Sequence, residues 1–204
     1  MNKRLQSSAP ALILAATALL AAPVASAAST HYDGSFGSDD GQFVLSFQLG
    51  ESRLVDARSL SYAHGGFAPV FSLFGPDGLM QLAVGSGNSC GGGSGAVDPA
   101  TRFCWDAHFS VQLAAGDYTL VLTQDGNLPI GSLLADGFSM VGQPHYTGAW
   151  FLGDDSRSFI NADRSQRSAD WAFDLGTQGV PEPGSWLLAA LALLALTATR
   201  RVRG

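Results

Sequence analysis

The stretch Trp105-Asp106-Ala107-His108-Phe109-Ser110-Val111-Gln112-Leu113, continuing through Ala114-Ala115-Gly116-Asp117 into Tyr118-Thr119-Leu120-Val121-Leu122-Thr123, decides the fold class. Trp105, Ala107, Phe109, Val111 and Leu113 alternate with Asp106, His108, Ser110 and Gln112, a period of two that gives a strand one apolar face and one wet face. Ala-Ala-Gly-Asp is turn chemistry, after which Tyr118, Leu120 and Leu122 alternate with Thr119, Val121 and Thr123. One dry face and one wet face mark antiparallel sheet.

The same pattern recurs outward from this hairpin. Phe43, Leu45, Phe47 and Leu49 alternate with Val44, Ser46 and Gln48, and Trp171, Phe173 and Leu175 with Asp170, Ala172 and Asp174. Shorter runs at 31–36, 54–62, 69–74 and 79–84 fit further strands. Gly37-Ser38-Asp39-Asp40-Gly41, Gly75-Pro76-Asp77-Gly78 and Asp125-Gly126-Asn127 supply turns between them. No interior segment of about ten residues has helical periodicity, and there is no internal repeat. Residues 126–168 are the least regular and are expected to form long loops with one strand near 147–152. The expectation is an all-β protein, a single antiparallel β-sandwich or jelly-roll-like domain over residues 28–178.

Both ends of the chain carry a different signal. Lys3 and Arg4, an apolar stretch from Ala9 to Ala22 and Ala25-Ser26-Ala27 make residues 1–27 a secretory signal peptide, with cleavage expected after Ala27. At the other end, Pro181-Glu182-Pro183-Gly184 precedes an apolar run from Ser185 to Thr199 and then Arg200-Arg201-Val202-Arg203. A helix of that run spans about 22 Å, short of the roughly 30 Å hydrocarbon core. It can be held in a bilayer by tilt and thinning, with the arginines on the cytoplasmic side. Pro181 and Pro183 keep the approach extended. An amphipathic helix packed on the domain is excluded, because Trp186 to Leu196 is apolar on every face.

Proline-rich motif, short apolar helix and basic end in this order over 179–204 resemble the PEP-CTERM sorting tail of exported bacterial proteins. The resemblance implies recognition of Pro181, Glu182 and Pro183 by an exosortase and passage through the Sec export machinery. It further implies transient anchorage in the inner membrane by the C-terminal transmembrane helix and a final place at the cell surface or outside the cell. Exosortase systems accompany exopolysaccharide production, so a biofilm or extracellular-matrix role is implied as well.

The chain has 11 basic and 17 acidic residues, net −6. Lys3, Arg4, Arg200, Arg201, Arg203 and Glu182 lie in the ends, which leaves 6 basic and 16 acidic residues, net −10, between them. Nucleic acid and anionic membrane surfaces are excluded as partners of such a field. Cys90 and Cys104 are the chain's two cysteines. In an oxidising compartment one pair reads as a disulfide, and its loop of about 15 residues would contribute about 3 kcal/mol while tying down Gly91-Gly92-Gly93-Ser94-Gly95.

Several segments in order look like a family of exported bacterial β domains: Gly34–Asp40, Gly65–Phe74, Leu113–Leu120, Leu134–Phe138 and Arg167–Phe173. That family is similar to the pre-peptidase C-terminal (PPC-like) β-sandwich modules of secreted proteases, and the resemblance implies no enzymatic activity. Where related sequences often carry paired acids after the fifth strand, this chain has Gly87-Asn88-Ser89.

Four carboxylates, Asp39, Asp40, Asp154 and Asp155, sit in loops of the kind that can supply oxygen ligands to calcium. The competing reading is that Asp in a turn bonds its own backbone. No cofactor other than calcium is suggested. Gly87-Asn88-Ser89-Cys90-Gly91 has the spacing of a hydrolase nucleophile elbow, but triglycine follows where a helix is required. His31, His64, His108 and His145 have no ligand spacing, and His108 falls on a wet face. Tyr146 and Trp150 are candidates for stacking on sugar rings, against the plainer role of capping the core. The reading is therefore an exported, non-enzymatic surface or matrix protein. The alternatives are a carbohydrate- or calcium-dependent binding module and, last, a secreted hydrolase.

Overall fold

The inward-facing residues Phe43, Leu45, Phe47 and Leu49 meet Val55, Ala57, Phe109, Phe173 and Leu175 across a sandwich, so the period-two faces of the sequence close on one another. The computed structural model describes residues 27–85, 97–98 and 101–179, and Ala27–Gly179 form one compact unit. Residues 1–26 of the 1–27 leader, the tail after Gly179, Cys90 and the elbow-like Gly87–Gly91 lie outside the described residues, while Ala27, the leader's last residue, opens the first strand.

Among the described residues eight strands occur: β1 Ala27–Ser35, β2 Gln42–Leu49, β3 Arg53–Ser59, β4 Pro69–Gly75, β5 Gly78–Ala83, β6 His108–Leu113, β7 Gly116–Gln124 and β8 Asp170–Gly179. They form two four-stranded sheets, ordered β1-β8-β3-β6 and β2-β7-β4-β5, with every pairing antiparallel. The first strand pairs with the eighth, the second with the seventh, the third with the sixth and the fourth with the fifth. The chain is thus one long hairpin, its tip at Pro76-Asp77, rolled into two sheets: the jelly-roll winding. Register locks the inward faces together, with Leu45 opposite Leu120 and Phe47 opposite Tyr118.

Aromatic rings carry much of the core. Phe71 and Phe173 are fully buried with centroids 5.4 Å apart, and Phe43 lies 4.5 Å from Trp171. Each such side chain contributes about 1.5–3 kcal/mol through burial alone. β1 begins and β8 ends at the same end of the sandwich, where Ala27 pairs with Gln178. That end otherwise holds the short turns 50–52, 76–77 and 114–115. The long connections 60–68 and 139–169 lie at the other end, where β5 also ends and β6 begins.

Three expectations are corrected. The segment near 147–152 is not a strand but a short helix, α1, Tyr146–Leu152. Its aromatic and Thr residues favour strands by propensity, but Gly153 at φ +70° stops the helix and donates its N–H to the Ala149 carbonyl. The strand read from Trp105 begins only at His108. Asp106, expected on the wet face, is 5 % exposed: it leaves the ladder to bond the 59–63 turn, and for the same reason the strand read over 54–62 stops at Ser59.

Residues 126–141, expected to be loop, make a narrow excursion along the outer face of the second sheet. Ile130 donates to Gly137 and Ser139 to Leu128, while Leu79 donates to the Ser132 carbonyl at the far tip. Phe138 anchors it in a second small core with Phe74 and Val121. A 3₁₀ turn, Leu134–Asp136, forms the tip.

Candidate functional site

The end that collects the long connections is held by buried polar groups. Asp39, in the β1–β2 turn, has no exposure. Its Oδ2 accepts from the Thr147 N–H at 2.8 Å and the Thr147 hydroxyl at 2.7 Å, and its Oδ1 accepts from the Phe159 N–H at 2.6 Å. Burial pushes its pKa above the ordinary carboxylate value, against the opposing pull of the Thr147 and Phe159 hydrogen bonds. Thr147 Oγ1 in turn accepts from the Ile160 N–H at 3.0 Å. One carboxylate therefore joins the first turn, α1 and Phe159, which precedes the Ile160–Gln166 bridge.

Asp40 stays on the rim, accepting from the Ser38 hydroxyl and the Gly142 N–H. Asp154 accepts from the Ser156 N–H and hydroxyl, which hold its pKa below the ordinary value; Asp155 is exposed beside it. The four carboxylates are not brought together as a set. Among the described residues no three His, Cys, Asp or Glu side chains gather as metal ligands.

Tyr146 and Trp150 are one helical turn apart and their rings meet at 4.9 Å and 61°. Tyr146 is 2 % exposed and donates its hydroxyl to the Asp125 carbonyl at 2.7 Å, so it caps the core. Trp150 is 53 % exposed. Its indole lies across Gly126, whose φ of +93° and missing Cβ leave room for the ring.

A second buried carboxylate, Asp106, accepts from the Ser59 hydroxyl and the Tyr62 and Ala63 N–H groups at 2.8–3.0 Å. Its pKa is raised by burial. Beside it Tyr62 donates to Asp98 at 2.8 Å, accepts from Asn161 at 3.2 Å and carries Arg167 over its ring at 3.9 Å. Burial, then the Asp98 bond, pushes the Tyr62 phenol up. The sequence singled out none of these residues. The one available signal was Asp106 standing between Trp105 and Ala107 where the alternation meets Cys104. His108 is half-buried, its Nε2 2.9 Å from Asp56. Cys104 is fully buried, and no described cysteine is free.

The described domain thus ends in a strand and hands over to the Pro-Glu-Pro segment. Residues 179–202 match the PEP-CTERM protein-sorting motif. The chain is accordingly an exosortase-targeted, exported protein whose precursor is anchored in the membrane. Among solved structures it is similar to the pre-peptidase C-terminal domain of a collagenase from Bacillus anthracis, at 12% identity and a TM-score of 0.36, with 73% of this chain and 88% of that one covered. No curated protein matches. Among the described residues no helix is long and apolar enough to cross a membrane.

Proposed function

We propose that the protein is a non-enzymatic component of the cell surface or extracellular matrix. The leader 1–27 sends it through the Sec machinery, and the 179–204 tail holds it at the inner membrane until an exosortase cuts near Pro181-Glu182-Pro183. The observation that carries this reading is one of adjacency. The sorting match begins at Gly179, the residue on which β8 ends, so a cut near Pro181 leaves every residue of β8 in place. A Cys90–Cys104 disulfide, proposed from the pair's export, would close the Gly-rich loop between β5 and β6 in the oxidising compartment. The product would associate with the exopolysaccharide that such cells secrete.

Replacing Pro181, Glu182 and Pro183 together by Ala, followed by cell fractionation, tests the reading. The variant is expected to accumulate in the membrane fraction at precursor size while the parent chain appears outside the cell. Release of the variant at the parent's rate would contradict it. A second reading, carbohydrate binding through Trp150, is favoured by that indole's exposure on a rigid Tyr146 support.

A further inference from the structure

We propose that the cleft on the outer face of the second sheet binds a neutral carbohydrate chain. The choice of partner class rests on the export reading, but the site stands on residues of its own. The cleft has a volume of about 710 Å³, within the roughly 300–1,000 Å³ of ligand sites.

Its floor is two rungs of the β2–β7 ladder. Ser46 Oγ and Thr119 Oγ1 lie 3.3 Å apart, and Gln48 Nε2 donates to Asp117 Oδ1 at 2.8 Å. Same-face rungs repeat about every 7 Å along the strands. The wall is Leu133 and Leu134, at the tip of the excursion and 53% and 39% exposed.

That wall is braced. The Leu133 N–H donates to Asp136 Oδ2 at 2.8 Å, and the Ser132 carbonyl accepts from Leu79. The excursion's own packing is carried by Phe138, so folding does not require the two leucines to stand in water. Leu133 and Leu134 thus form an adjacent exposed apolar pair fixed beside the polar floor.

The chemistry of the lining selects the occupant. A ligand satisfying both surfaces must be apolar on one side and hydroxylated on the other, as a pyranose ring is. Hydroxyls donate and accept, matching an amide, a carboxylate and two hydroxyls on the floor. No Lys or Arg lines the cleft, so phosphate, sulfate or uronate groups find no counter-charge. The acidic domain repels polyanions besides. An acyl chain would cover the leucines but strip water from the four floor side chains without replacing it.

The test is affinity electrophoresis of the protein purified from whichever cell fraction holds it, through gels containing dextran, laminarin or xyloglucan. Alginate gels and sedimentation with phosphatidylcholine vesicles run in parallel. At least one neutral polymer is expected to retard the protein. The Leu133→Ser/Leu134→Ser double variant and Gln48→Ala should each weaken that retardation about tenfold with unchanged melting. Trp150→Ala, at the opposite end of the sandwich, should leave it within about twofold. The proposal is overturned if no neutral polymer retards the protein, if only alginate or vesicles bind it, or if the double variant keeps full affinity. The fraction in which the protein is found reports separately on the export reading.

Discussion

Replacing Asp39 by Ala strands the Thr147 and Phe159 N–H groups and the Thr147 hydroxyl inside the protein. A buried donor left without a partner costs about 1–3 kcal/mol, and water entering the small void recovers part of it. The expected loss is about 4 kcal/mol. At about 2–4 °C per kcal/mol for a domain of this size, melting should fall by about 8–16 °C. Asp39→Asn keeps one acceptor but turns an NH₂ toward one of the donors, so it should lose about half as much. Asp155→Ala, on an exposed residue of the late loop, serves as the control and should melt with the parent. The assay is thermal unfolding by circular dichroism, with proteolysis to locate the change at 139–160. If Asp39→Ala melts within about 2 °C of the parent, the carboxylate does not join the three segments and the reasoning fails.

Other outcomes follow from the same geometry. Asp39 and Asp106 have folded-state pKa values above the ordinary 3.8, so between 3.8 and those values the native state binds more protons than the unfolded chain. Their contribution is fully present in acid and is lost as pH rises through the folded values. Relief of acidic self-repulsion acts in the same direction, so stability should decline as pH is raised from 3.8 through those folded values; a melting temperature that only rises as pH increases above 3.8 contradicts this. Because Asp39 spends both oxygens and Asp154 its Oδ1 on protein donors, and the four carboxylates form no ligand set, calcium or chelator should leave melting unchanged, whereas a saturated site would add about 2.7 kcal/mol at a hundredfold excess over Kd. Trp150→Ala removes an edge-to-face pair worth about 0.5–1.5 kcal/mol and should lower melting by no more than about 6 °C. A larger loss would make Trp150 a core residue and remove the second reading.

The strands were legible because each needs only its own alternation: Phe43 to Leu49 and Trp171 to Leu175 declare a buried face without reference to any partner. What the alternation could not reveal was where a polar side chain breaks ranks. Asp106 sits in phase with the wet residues of its segment, yet its carboxylate is spent on a turn 43–47 residues earlier in the chain. Asp39 shows the same limit at longer range, since its partners lie 108 and 120 residues away. Nothing local to a turn aspartate distinguishes a self-bonded Asx turn, as at Asp154, from a buried staple. Tyr146–Leu152 was misread because its residue types suit a strand; the anchor on Asp39 and the left-handed Gly153 decide for helix. The apolar residues of the excursion over 126–141 follow no regular period, and Phe138 becomes meaningful only once Phe74 and Val121 are seen on an outer face. The candidate cleft was invisible for the same reason, because Ser46, Thr119 and Leu133 come from three distant segments.

The account depends most on the tail being a removable hold. Intact-mass analysis of protein recovered from outside the producing cell measures this directly, before and after reduction. The predicted species lacks residues 1–27 and everything beyond the Pro-Glu-Pro region, and gains the mass of two hydrogens on reduction of a Cys90–Cys104 bond. Extracellular protein still ending in Arg200-Arg201-Val202-Arg203-Gly204 would contradict the account, as would a full-length chain confined to the cytosol.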